Sequence, residues 1–163
     1  MKYIFQLSTI LLFFPVLFSQ GKSPVTKFDK SAVYAAMAST DVETVDRILF
    51  ELKISSIPEK AAYEGALLMK KAGLMTKAKE KLSFFKSGRT KLEGAIKTDE
   101  GNIEYHFLRL VIQENAPKIV KYKGNLENDR DLLRSSFKKL DPVVQQAVKD
   151  YSKKSKYLKP GDF

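Results

Sequence analysis

An all-helical fold is what this 163-residue sequence predicts, and three observations carry the prediction. From Phe28 onward the apolar residues recur at spacings of three and four and never settle into strand-like alternation. Residues that start and stop helices stand between these stripes at short intervals. No low-complexity stretch or long linker interrupts them. The pattern gives about seven helices after an N-terminal segment, arranged as antiparallel hairpins. Such stripes are buried either by stacking hairpins as a short solenoid or by closing them into an irregular bundle.

The N-terminal segment reads as an export signal. Lys2 is followed by an uncharged, largely apolar run from Tyr3 to Phe18, then Ser19, Gln20 and Gly21. One basic residue, an apolar stretch and a small residue at its end form the three-part secretory pattern. The run is shorter than the roughly 20 residues a membrane-spanning helix needs. Pro15 breaks it where a cleavage site would follow. The expected divisions are a signal peptide over 1–19, a polar leader over 20–27 and one helical domain over 28–163. The expected destination is the periplasm or the extracellular space, as for an exported protein of bacterial type.

The helices follow in order. Phe28, Ala32 and Ala35 open the first, which ends near Ser39. Thr40 with Glu43 has the spacing of a capping box, and Val42, Val45, Leu49 and Leu52 stripe the helix behind it. Ser56 with Glu59 repeats the box, with Pro58 in the first turn, and Gly73 is placed as the stop after Ala72. Thr76 is expected to cap a long helix whose stripe is Ala78, Leu82, Phe85, Gly88, Leu92 and Ala95. Asp99 to Asn102 then turn the chain. Asn102 caps a helix from Ile103 to Asn115 carrying Ile103, Phe107, Leu110 and Val111, and Pro117 stops it. Asn125 caps the next, striped by Leu126, Leu133, Phe137 and Leu140. Asp141 and Pro142 start the last, with Val144, Ala147, Val148 and Tyr151 inward.

Between Phe85 and Leu110 the sequence resembles part of a tetratricopeptide repeat. Leu92 to Asp99 is similar to the end of that motif's second helix, with Gly88 and Ala95 at its small positions, and Asn102 to Tyr105 is similar to the opening of the next repeat. Two features depart from the motif. Glu100 stands where the repeat has proline, and Gly73 to Asp99 is about ten residues too long for a repeat of roughly 34. The chain as a whole also resembles small exported helical proteins, which implies no particular function. The repeat resemblance implies a short solenoid that holds a peptide or protein in a concave groove lined by the first helix of each hairpin. Tyr105, Arg109 and Gln113, off the main stripe of such a helix, would then face the partner. Tyrosine and arginine are among the side chains that dominate binding hot spots.

Composition bounds the remaining possibilities. The chain has no cysteine, so neither disulfides nor a lipid-attachment cysteine are available. Its net charge of +10 falls to +9 if Lys2 leaves with a signal. Two stretches concentrate the charge: Lys70, Lys71, Lys77, Lys79, Lys81, Lys86, Arg89 and Lys91, then Lys149, Lys153, Lys154, Lys156 and Lys159. Both read as solvated helix faces. Excess cations favour weak contact with anionic envelope components. No nucleic-acid motif is present, and no nucleic-acid partner is expected.

No catalytic, cofactor or metal residues are expected, and the protein is not expected to be an enzyme. His106 is the only histidine. Glu104, two residues before it, points elsewhere, while Arg109 at i+3 shares its face and should disfavour both a metal and a charged imidazole. Asp99 with Glu100 reads as a turn. Glu127, Asp129 and Asp131 read as helix-start acids favoured by the dipole. No serine elbow or phosphate-cradling glycine cluster occurs. The expected function is therefore binding of a protein or peptide partner. The alternative is a basic structural protein associating with the envelope or another surface.

Overall fold

A computed structural model describes residues 28–163. The segments expected to be a signal peptide and a leader lie outside the described residues. Seven α-helices follow one another: α1 (Lys30–Ala38), α2 (Val42–Ile54), α3 (Lys60–Leu74), α4 (Ala78–Thr98), α5 (Ile103–Asn115), α6 (Leu126–Ser136) and α7 (Pro142–Ser152). Single 3-10 turns lie at Lys118–Val120, Phe137–Lys139 and Pro160–Asp162. No strand occurs among the described residues, and no described helix is long and apolar enough to cross a membrane.

Local chemistry explains most of the boundaries. Asp29, Asp41, Asn102 and Asp141 each accept a backbone N–H of the first turn that follows, satisfying donors the helix leaves free. Several expected caps are displaced. Asp41, not Thr40, caps α2, because its carboxylate reaches the amides of both Glu43 and Thr44. Glu59 makes no capping bond and instead pairs with Lys30 at 2.9 Å. Gly73 lies inside α3, which runs on through Leu74, and Lys77 rather than Thr76 precedes α4. Asn125 precedes α6 without capping it.

α3 and α4 make the most intimate helix pair, and α5 with α6 the next. α5 organises the rest. Eight of its 13 residues are buried, because it presents apolar groups on two sides. Tyr105, Leu108 and Ile112 join Val33, Ile48, Leu52, Tyr63, Leu67 and Leu92 in one apolar cluster. Phe107 and Leu110 join Leu126, Leu133, Val144, Val148 and Leu158 in a second. α1 packs against α7 as well as against α2 and α3. In an open solenoid each unit touches only its neighbours, so the contact of first helix with last makes this an irregular bundle around α5.

Burial corrects the start of the long stripe, where Ala78 and Leu82 are exposed. Leu92, Ile96 and Phe85 are buried as their spacing requires, but Leu82 is 50 % exposed. The register is right, since Leu82 lies three residues from Phe85 on one helix face. The first turns of α4 simply extend beyond the helices that cover the rest.

Candidate functional site

Arg109 and Gln113 border no open groove, and Tyr105 only edges a small opening of about 540 Å³ beside Pro58, Lys91 and Thr98, which corrects the shared groove expected from their spacing. All three are enclosed. Tyr105 packs into the first apolar cluster. Gln113 is fully buried, and its side chain donates to Asn125 Oδ1 at 3.2 Å and accepts the Asn125 backbone N–H at 3.0 Å. It thereby fixes the chain just before α6.

Arg109 centres a buried polar cluster. Its Nε and Nη2 donate to the two carboxylate oxygens of Asp129, each at 2.8 Å, and its Nη1 donates to Glu93 at 3.0 Å. Tyr122 donates its hydroxyl to the same Glu93. Asp129 is only 1 % exposed, so this acid stands in the first turn of α6 as expected and is also the arginine's interior counter-ion. His106 completes the cluster. Its Nδ1 lies 2.7 Å from Asp129 Oδ1 and its Nε2 lies 2.9 Å from the Glu100 carbonyl oxygen. Each ring nitrogen faces an acceptor, and only the imidazolium can donate to both, although Arg109 Nη2 also lies 3.2 Å from Nδ1. The Asp129 hydrogen bond accordingly raises the His106 pKa despite the opposing effects of burial and of Arg109. Arg109 alone, read from the sequence, gives the opposite sign.

The same cluster predicts how stability depends on pH. The folded pKa of His106 lies above its unfolded value of about 6.5. Its contribution is therefore full below that value and is lost as pH rises through the folded pKa. Burial would raise the Asp129 pKa, but hydrogen bonds from Arg109 and His106 outweigh it and lower it. That contribution is present above about pH 4 and is lost as pH falls through the folded value. The urea midpoint should be highest between about pH 4 and 6.5 and decline on both sides. His106→Gln should flatten the alkaline decline near neutrality. An identical alkaline slope in that variant would mean other groups cause it.

A second polar cluster ties the N-terminal helices to α5. Glu104 accepts hydrogen bonds from Tyr34 at 2.7 Å, from Tyr63, and from Lys30 at 3.0 Å. At the other end of α5, Glu114 accepts from Tyr151, Ser155 and the Lys156 amide at 2.9, 2.7 and 2.6 Å, holding the C-terminal tail. These groups are mutually satisfied. Among the described residues no group of three His, Cys, Asp or Glu is placed to hold a metal ion.

The open site lies elsewhere. A groove of about 1620 Å³ is bounded by α1, the end of α3, the start of α4, α5, the connector after it, and α7. Met37, Phe85, Leu108 and Ile112 contribute to its apolar lining. Five large apolar side chains are exposed on the described surface, and Leu82, Ile119 and Val143 among them all border this groove. Phe50 and Ile54, the other two, lie one turn apart on α2 away from it.

Cations also border the groove: Lys70, Lys81, Lys86, Arg89, Lys154 and Lys156. None of the six lies in an ion pair among the described residues. Of the two acids there, Glu114 is committed to the C-terminal tail, and Asp150 is bound to Lys153 and Gln146. The two basic stretches, far apart in sequence, thus meet at one opening. Sequence spacing misses this because the meeting depends on long-range contacts, α1 against α7 and Glu114 with Ser155 and Lys156. Comparison with protein-family models, curated proteins and solved structures finds no match to this chain.

Proposed function

We propose that this protein is an exported, non-catalytic helical binding module that holds an amphipathic helical segment of a protein partner in the α1–α4–α5–α7 groove. The convergence of Leu82, Ile119 and Val143 carries the reading. Large contiguous apolar surface on a soluble protein marks interaction sites, and a helix laid into an apolar groove is a recurrent mode of peptide recognition.

Size favours a helix as occupant. Small-molecule pockets run to about 1,000 Å³, and this groove exceeds that. A helix with its side chains is about 10 to 12 Å across, so a space of this size takes roughly three turns. The lining is largely apolar, its cations are unpaired among the described residues and its two acids, Glu114 and Asp150, are engaged elsewhere, which suits holding better than chemistry.

Export is supported by the Tyr3–Phe18 run, and the absence of cysteine is compatible with an oxidising compartment. The tetratricopeptide-like reading draws support from the tight α3–α4 hairpin and from Asn102 opening α5. The partner would occupy a different surface from the one that resemblance implies.

The test uses a synthetic peptide about four turns long, with leucines on one face and glutamines on the other, titrated by fluorescence anisotropy. The Leu82→Ser/Ile119→Ser variant should bind at least fivefold more weakly. Both side chains are half or more exposed, so its urea midpoint should barely move. Equal binding by the variant and the parent protein would remove the groove as the site.

A further inference from the structure

We infer that the segment held in the groove is an acidic amphipathic helix, with carboxylates flanking its apolar face. This rests on the groove reading above and specifies its partner. The charge pattern around the lining carries it. On α4, Lys81, Leu82, Phe85, Lys86 and Arg89 follow at i, i+1, i+4, i+5 and i+8, so cations flank the apolar pair on one helical face. Lys154 and Lys156 come from the segment after α7, and Lys70 from the end of α3.

A protein surface normally intersperses both signs of charge. Here six cations border an apolar lining, and both acids present are engaged by other groups. Lys70 is only partly exposed and has no carboxylate partner among the described residues. Burial, and then the like charge of Lys154, make its ammonium less favourable than a free lysine's. A carboxylate placed between Lys70 and Lys154 would offset both effects. Arg89 lies 4.8 Å over the Tyr122 ring and Lys154 lies 5.6 Å over the Tyr151 ring, so aromatic faces help hold two of the cations.

An anionic lipid shares the carboxylate's charge but fits the space less well. A single acyl chain would leave much of the roughly 1620 Å³ unfilled and open to water, whereas a helix about 10 to 12 Å across spans it.

The experiment compares three peptides of one length and one leucine face, whose opposite faces carry glutamate, glutamine or lysine, together with vesicles of phosphatidylglycerol and phosphatidylcholine. Binding to the full mature protein is measured by fluorescence anisotropy for peptides and by co-sedimentation for vesicles. The glutamate peptide should bind about tenfold more tightly than the glutamine peptide and the lysine peptide most weakly. The glutamate advantage should shrink as ionic strength rises from about 0.01 to 1 M, over which the screening length falls from about 30 to 3 Å. Lys70→Gln/Lys154→Gln should lose about tenfold for the glutamate peptide alone. Its urea midpoint should not fall, because a like-charge contact has been removed.

Equal affinity for all three peptides would overturn the acidic preference while leaving the groove as a binding site. Binding of none would overturn the groove reading and this inference with it. Vesicle binding lost in the lysine double variant, without peptide discrimination, would overturn the acidic helix and assign the cations to an anionic lipid surface.

Discussion

Replacing Arg109 with methionine is expected to cost about 3 to 5 kcal/mol, the range for removing one partner of a buried ion pair. The size comes from what is left behind. Asp129 is 1 % exposed and takes two hydrogen bonds from the guanidinium. Without them its charge stays inside with the His106 ring as its remaining side-chain partner. Glu93 loses the same cation, though its side chain is one-third exposed and water can reach it. A domain of this kind has about 5 to 15 kcal/mol in total, so this single change should bring it close to unfolding.

A second signature separates lost charge pairing from lost packing. Burial now opposes only the His106 hydrogen bond at Asp129, so the acid decline of stability should begin at higher pH in Arg109→Met than in the parent protein. Removing both charges, as Arg109→Met/Asp129→Leu, should recover much of the loss, because well-packed apolar replacements of a buried pair are often neutral or better. Urea unfolding of both singles and the double gives the coupling directly. A loss under about 1 kcal/mol in Arg109→Met would mean that water enters and hydrates Asp129.

What the sequence makes legible follows the range of the interaction. Asn102 is readable as a cap because the donor it serves, the Tyr105 amide, is three residues away. The Phe85, Leu92 and Ile96 face is readable because helical spacing alone places those residues together. Cap choice between Thr40 and Asp41 is not, since both precede α2 and only backbone geometry decides which side chain reaches the amides. Leu82 shows the next limit, where spacing gives the face but not how far along it the neighbouring helices extend.

Arg109, Gln113 and Asp129 show the limit most clearly. Charged and amide side chains are mostly exposed, and nothing local contradicts that reading for any of the three. Arg109 and Asp129 stand 20 residues apart and Gln113 and Asn125 stand 12 apart, across the connector between α5 and α6. The groove lies further still from local information. Its cations come from positions 70 to 89 and 154 to 156, and the packing of α1 on α7, with the hold of Glu114 on Ser155 and Lys156, brings them together. Each stretch alone has the composition of an ordinary wet helix face.

Gly88→Leu should be among the most destabilising single changes outside the charged cluster, at or above the top of the 1 to 3 kcal/mol typical of overpacking. Helix propensity points the other way, since glycine costs about 1 kcal/mol against alanine in a helix interior. Contact decides the sign. A Cβ at Gly88 would stand 2.5 Å from the Gly65 carbonyl oxygen and 2.9 Å from the Met69 amide nitrogen. A Cβ at Gly65 would in turn stand 2.6 Å from the Leu92 amide nitrogen and 2.8 Å from the Gly88 carbonyl oxygen. The two helices meet backbone against backbone, so no rotamer change can make room. α3 and α4 must separate, and separation opens the core around Leu67 and Leu92, both fully buried. Even Gly88→Ala should therefore lose about 1 to 3 kcal/mol. Gly94 lies in the same helix, and a Cβ there would meet nothing within 4 Å, so Gly94→Ala should gain up to about 1 kcal/mol. Adding Gly65→Ala to Gly88→Ala should cost less than the sum of the singles, because one separation of the helices relieves both contacts. Thermal or urea unfolding of these variants gives the answer, and Gly88→Ala matching the gain of Gly94→Ala would mean that α3 and α4 do not meet at these glycines.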